Sequence, residues 1–254
     1  MQSVVLEVRN LTKRFGGLTA VTGLDFDVRE GEILGVIGPN GAGKSTTFNI
    51  IAGIYPTSAG EVRFAGESIL GLPPHRIAQR GIMRTFQHNR PFPGMSVADN
   101  VLVGAHTRFG FNVFGKKSSL EEKANRARAE ELIGFVGLAE LRDADVATLS
   151  FGQGRLLEIA RGLAGEPKLM LFDEPAAGLT PAELTRVTSV IRGIAQRGIA
   201  VLLIEHDMHF LLPLAHRVVV LNFGAKIADG LPDEIRANPA VMQAYLGGNH
   251  AAAR

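Results

Sequence analysis

Residues 38–46 read "GPNGAGKST" and lie between a continuous apolar run, "EILGVIG", and an apolar-periodic stretch, "STTFNIIAG". The spacing fits G-x-x-x-x-G-K-[ST], a pattern that functions only where a buried strand hands over to a helix. Glycines allow the backbone to turn its amides toward phosphate oxygens, and the helix N-terminus adds partial positive charge. The expected phosphate-binding set is therefore Gly38, Pro39, Asn40, Gly41, Ala42, Gly43, Lys44, Ser45 and Thr46. Lys44 is expected to reach the β- and γ-phosphates and the Ser45 hydroxyl to ligate Mg²⁺. An ordinary glycine-rich turn does not require the Lys-Ser-Thr ending, so ATP and Mg²⁺ are the expected ligands.

A strand that feeds such a loop belongs in a sheet covered on both faces. The 254 residues are 46% hydrophobic and 20% charged, enough to bury a sizeable core. A formal net charge of +2 is too small to point to nucleic acid. The absence of cysteine removes disulfides and thiolate metal sites and is compatible with a reducing cytoplasm. The opening "MQSVVLEVRN" lacks a basic start followed by a long apolar core, so no signal peptide is expected. The longest apolar runs, "IAVLLI" and "RVVVLNF", are strand-sized and far short of the ~20 residues of a membrane-spanning helix. The chain is expected to meet a membrane only through another protein.

Along the chain, "VVLEVRN" and "LDFDVRE" alternate as strands, and "GEVRFAGESI" reads as another hairpin arm. From about Val97 to Gly165 the apolar spacing turns helical, with "SSLEEKANRARAEELIGFVGL" a charged amphipathic helix. The glycine- and aromatic-rich stretch Phe109–Ser119 is expected to be a surface insertion. Buried-strand patterns return in "KLMLFDEP" and "IAVLLIEHD", separated by the helix "PAELTRVTSVIRGIAQRG". "HRVVVLNFG" and "AKIADG" form a closing hairpin, and "DEIRANPAVMQAYLG" is helical. Strand–helix alternation around an all-helical middle predicts one α/β core with a helical insert.

Asp173 and Glu174 end a predicted strand, where side chains reach the ligand crevice of an open parallel sheet. Behind a phosphate loop, Asp173 is expected in the Mg²⁺ shell and Glu174 is free to orient or deprotonate water. His206 follows the next strand in "EHD"; alone, a histidine there is more often structural than catalytic. Gln87 in "RTFQ" and Phe15 in "KRFGG" carry no chemistry by themselves. In "LSFGQGRLLEIARGL", Ser150 and Gln153 have capping-box spacing, so the stretch starts a helix and also offers a second N-terminus to phosphate.

Taken in order, the aromatic residue, phosphate loop, "RTFQ", "LSFGQ", "LFDEP" and "EHD" resemble the ATP-binding subunits of ABC transporters, over essentially the whole chain. The resemblance implies an α/β fold: a P-loop NTPase (RecA-like) core with an N-terminal antiparallel β subdomain and an inserted α-helical subdomain. The core and β subdomain would cover about 1–90 and 166–254, and the helical subdomain about 91–165. It further implies two subunits packed head to tail, identical or paralogous, with each ATP between one phosphate loop and the other subunit's signature. On that model Ser150, Gly152 and Gln153 would serve the partner's nucleotide and Phe15 would stack on adenine. Gln87 would sense the γ-phosphate and Mg²⁺, Glu174 would be the general base, and His206 would contact the γ-phosphate.

Two positions depart from the family pattern: Phe151 stands where the signature commonly has glycine, and Thr180 where many members carry aspartate. "RTFQ", "LSFGQ", "DEPAAGLTP", "IEHDM" and "AYLGG" together look like the ATPase subunits of bacterial branched-chain amino-acid importers. Urea or amide importers and the lipopolysaccharide-export ATPase share that look. A soluble ABC ATPase acting on DNA or ribosomes fits less well, because the chain has one ATPase unit and no basic block. The importer resemblance implies transmembrane permease partners, a solute-binding protein acting indirectly, and a peripheral position on the cytoplasmic face of the inner membrane. "HNRPFPGMSVADNV" would then line the groove that receives the permease, although its apolar content equally suits an ordinary loop.

Overall fold

The computed structural model describes residues 3–85, 91–105 and 119–247. The chain opens with two long strands, β1 (Val4–Phe15) and β2 (Leu18–Arg29), paired antiparallel. The sequence reading covered only part of each strand. Register shifts between Val8 and Arg14 break the period-2 pattern there, so the pairing continues where the alternation does not. Next come β3 (Ile33–Ile37), α1 (Lys44–Ile51), β4 (Ala59–Phe64) and the two-residue β5 (Glu67–Ser68). The first sheet runs in the order β2-β1-β4-β5.

Two short elements absent from the sequence reading follow, α2 (Pro74–Gln79) and β6 (Ile82–Arg84). The helical middle holds α3 (Val97–Ala105), α4 (Ser119–Val136) and α5 (Phe151–Ala164). The chain then alternates β7 (Leu169–Asp173), α6 (Pro181–Gln196), β8 (Ala200–Ile204) and α7 (Met208–Leu211). The hairpin β9 (Arg217–Asn222) and β10 (Ala225–Gly230) leads to α8 (Pro232–Ala237) and α9 (Pro239–Gly247). The tail was expected to be helical, and it is two helices. Asn238 stays extended ahead of Pro239, and its side-chain oxygen accepts from the Ala240 amide at 2.9 Å, restarting the helix.

The second sheet has the order β10-β9-β3-β8-β7-β6, parallel except for its β10 edge. Every residue of β3 and β8 is buried, which is why those strands read as unbroken apolar runs. Alternate residues enter two different apolar layers. Ile33, Ile37, Met170, Phe172, Val201 and Leu203 join the layer that contains the helices α5 and α6. Leu34, Val36, Leu169, Leu171, Leu202 and Ile204 join the layer shared with α1 and the antiparallel sheet. Gln87 and residues 109–118 of the expected insertion lie outside the described residues.

Asn100 is fully buried on α3. Its side-chain oxygen accepts from the Phe92 amide at 2.8 Å, and its amide donates to the carbonyls of Phe92 at 3.2 Å and Ser96 at 3.1 Å. The "PFPGMS" segment is thereby fastened to the helix that follows it. Asn100→Ala strands the Phe92 amide, a loss of about 1–3 kcal/mol. Thermal denaturation is expected to show a Tm lowered by about 2–4 °C per kcal/mol; an unchanged Tm would mean that water replaces the asparagine without loss.

Candidate nucleotide-binding site

Parallel register sets the site. Val36 of β3 pairs with Ile204 of β8, and Ile204 pairs with Asp173 of β7. The residues that follow these three therefore emerge side by side at the carboxyl edge: Gly38, the pair Glu205–His206, and Glu174. This is the edge at which open α/β sheets bind ligands.

The phosphate loop leaves β3 and enters α1 at Gly43, whose φ of 100° lies in the left-handed region. A Cβ there would sit 2.6 Å from the Ala20 carbonyl oxygen, so conformation and space both demand glycine. No side chain caps α1 and its first turn carries no acid, which leaves the leading amides to an anion. Lys44 is buried, its Nζ donating to the carbonyls of Gly38 at 2.6 Å and Pro39 at 3.0 Å. Burial lowers its pKa, opposed by the nearby charges of Glu174, Asp173 and Glu205. Ser45, in the first turn, is exposed.

Asp173 accepts from Arg84 at 2.7 Å, and Arg84 also donates to the Asn49 side chain at 2.6 Å. Glu174 follows with φ 48°, unusual for a residue with a side chain, while its amide donates to the Ile204 carbonyl at 3.0 Å. Its Oε1 lies 3.6 Å from Nδ1 of His206, whose side chain is 58% exposed and so able to meet a ligand. Phe15, at the end of β1, is also exposed and packs edge-on against Tyr55 at 5.4 Å, with Lys13 Nζ 4.7 Å from its ring centroid. The structure thus gathers the phosphate loop, Asp173, Glu174 and His206. For Mg²⁺, the described residues hold no cluster of three or more His, Cys, Asp or Glu suited to a metal. A hydroxyl and one or two carboxylates suit an ion that takes most of its shell from phosphate and water.

The signature has other contacts. Ser150 caps α5, accepting from the Gln153 amide at 3.2 Å, while the Ser150 amide donates to the Gln153 side chain at 2.8 Å. The capping box read from the sequence is present. Phe151 is exposed at this start of α5, and a Cβ on Gly178 would stand 3.2 Å from its ring. Ser150 and Gly152 both donate to Glu183, at 3.1 and 3.2 Å.

Several site residues escaped the sequence reading. Glu205 is 1% exposed and accepts from the amides of Ala176 at 3.0 Å and His206 at 3.3 Å. Its place in "EHD" beside His206 was the available signal. Arg84 and Tyr55 gave none, because their partners are remote in sequence; Glu183 stands at capping-box spacing from Thr180, but its contacts with Ser150 and Gly152 had no local signal. Tyr245 of α9 has its hydroxyl buried against the Gly38 backbone without closing a full hydrogen bond, and burial pushes its pKa up to about 12.

A phosphate loop of this geometry beside a strand-end carboxylate pair defines a P-loop nucleotide-binding protein. The ABC transporter family model matches residues 21–177, and the chain belongs to that family. The model for the branched-chain amino acid ATP-binding cassette transporter matches residues 225–251. The chain is 42% identical to the high-affinity branched-chain amino acid transport ATP-binding protein BraF of Pseudomonas aeruginosa, across 97% of this chain and 99% of the relative. It is 39% identical to LivG of Salmonella typhimurium, which carries the same description, across the same shares. The crystal structure of the ADP conformation of MJ1267, an ATP-binding cassette of an ABC transporter, superposes with a TM-score of 0.86 at 32% identity, covering 96% of this chain and 99% of that one.

Burial holds the Glu205 carboxyl above its ordinary pKa, partly offset by the amides of Ala176 and His206. A raised folded value means that the protonated group favours the fold, and that this contribution is lost as pH climbs from the ordinary 4.5 through the folded value. Glu205→Gln carries no such loss. The Tm of the variant minus that of wild type is expected to move in the variant's favour as pH rises from the carboxylate range to neutrality. A difference independent of pH would rule out an ionising Glu205.

Proposed function

We propose that the chain is the ATP-hydrolysing subunit of an importer for branched-chain amino acids, working through separate permease subunits. The observation that carries the chemistry is the convergence of Lys44, Asp173, Glu174 and His206 at one sheet edge. The solute class is supported by full-length similarity to transport ATP-binding proteins of that description. Solute selectivity resides in other subunits, since no residue of an ATPase edge meets the solute.

In this reading the Lys44 ammonium exchanges its contacts with the loop carbonyls for phosphate oxygens, and the α1 amides hold the same anion. Ser45, Asp173 and Gln87 would hold Mg²⁺, which would supply positive charge to offset the negative charge of the phosphoryl group. Glu174 takes a proton from the attacking water, whose oxygen bonds to the γ-phosphorus as the bond to the bridging oxygen breaks, giving ADP and phosphate. His206, beside Glu174, steadies the γ-phosphate, and Phe15 stacks on the base. Ser150, Gly152 and Gln153 close the nucleotide site of a second ATPase subunit packed head to tail. The segments at about 1–90 and 166–254 act as one unit and the helical segment at about 91–165 as another, with the region around the exposed Phe92 meeting the permease. Among the described residues no helix is long and apolar enough to cross a membrane; the subunit is held peripherally at the cytoplasmic face of the inner membrane by its permeases.

Lys44→Ala is expected to lose most ATP affinity or turnover, because a charge-assisted phosphate contact goes. Glu174→Gln is expected to keep ATP binding while hydrolysis falls at least about a hundredfold, the scale of a general base. A MgATP-dependent dimer then appears by size-exclusion chromatography; near-normal turnover would assign the base elsewhere. Deleting the gene is expected to abolish high-affinity uptake of labelled leucine, restored by wild type and not by Lys44→Ala. Unaffected leucine uptake with loss of urea or amide uptake would replace the solute class.

A further inference from the structure

Glu183 sits in the first turn of α6, and there it completes an ordinary capping box with Thr180. One carboxylate oxygen, Oε2, accepts from the Thr180 amide and hydroxyl, both at 3.0 Å. That much is a helix cap. The other oxygen, Oε1, has no part in α6. It accepts from the Ser150 hydroxyl at 3.1 Å and the Gly152 amide at 3.2 Å, at the start of α5. One carboxylate therefore bridges two helix N-termini, reaching back 33 residues to Ser150 and 31 to Gly152. A Cβ at Gly152 would come within 2.4 Å of this carboxyl group, so the signature glycine is the residue that admits it. The donors from Thr180, Ser150 and Gly152 hold the Glu183 pKa below the ordinary value, led by the Thr180 amide, so the group is ionised at neutral pH.

We infer that Glu183 is a positioning residue that fills, in the single subunit, the anion place which the γ-phosphate of the partner's ATP takes when the dimer closes. The inference rests on the head-to-tail reading above, which assigns Ser150 and Gly152 to that phosphate. Two anions cannot share one hydroxyl and one amide, so closure exchanges carboxylate for phosphate at Oε1's two donors. Oε2 remains on Thr180. The exchange thus uncouples α5 from the start of α6, and Thr180 lies at the end of the loop that begins at Glu174. Arrival of the partner's phosphate is in this way felt by the segment carrying the chain's own general base, with Thr180 and Glu183 serving where many family members have an aspartate.

The test separates a cap from an exchange. Glutamine also serves at the third position of a capping box, so Glu183→Gln can keep its one acceptor oxygen on Thr180 at the start of α6, while its NH2 group, which accepts nothing, gives up the signature donors and the charge there. In full-length Glu174→Gln protein, dimer formation is followed by light scattering during MgATP titration, with the Tm measured without nucleotide. Glu183→Gln is expected to lower the MgATP midpoint at least about threefold, the scale of one partly exposed charged contact, with a smaller fall in Tm than Glu183→Ala. Glu183→Ala is expected to lower the midpoint likewise while also lowering Tm, which guards against an effect peculiar to the amide. A midpoint unchanged or raised in both variants, on a parent that dimerises normally, overturns the exchange alone and leaves Glu183 a cap. A parent that forms no MgATP-dependent dimer overturns the head-to-tail reading and the exchange with it.

Discussion

The parallel pairing of β3, β8 and β7 governs everything at the nucleotide edge. A shift of one residue between β8 and β7 would turn Asp173 from the row of Val36 and Ile204 and send each strand's apolar residues to the wrong layer. That error is costly because both faces are buried: each strand feeds two separate apolar layers at once. Core packing thus fixes register, and register fixes the separation of Lys44, Glu174 and His206. The positive φ of Glu174 is tolerable for the same reason, since its amide is held by the Ile204 carbonyl of the neighbouring strand.

What could be read in the sequence was local. The phosphate loop declares itself because its glycines, lysine and hydroxyls act within nine consecutive residues, and the Ser150–Gln153 box because it spans one helical turn. The buried strands declare themselves through unbroken apolar runs. Signals failed where the period was interrupted or the partner was distant. The bulged part of β1 lost its alternation, and β6 is too short to show any. Arg84 meets Asp173 across 89 residues, and Glu183 meets Ser150 across 33. Such pairs exist only once the topology is known. Glu205 is a different case: it adjoins His206 in the sequence, but burial of its carboxylate is a property of β8 within the sheet.

Charge is arranged so that no carboxylate at this edge is idle. Asp173 is held by Arg84, Glu205 by two backbone amides, and Glu174 faces His206. Glu174 is the carboxylate left nearest an exposed partner, as the proposed role of general base requires. Lys44 lies among these acids, where burial lowers its pKa and their charges oppose that shift.

The two phosphate-directed helix starts differ in a way that matches their duties. The first, α1, has no side-chain cap, which leaves its leading amides open to the ligand that the proposed reading assigns to Lys44. The second, α5, is doubly provided: Gln153 takes the Ser150 amide, and Glu183 takes the Ser150 hydroxyl and Gly152 amide. In the proposed head-to-tail reading, donors that serve another subunit's phosphate would spend part of every cycle apart from it. Water would satisfy those donors but would carry no information. A carboxylate anchored to Thr180 satisfies them equally well and ties their release to the loop that leads back to Glu174. In that reading two helix N-termini of one physical kind would have different roles, one a constant binding element and the other a contact made and broken with the partner.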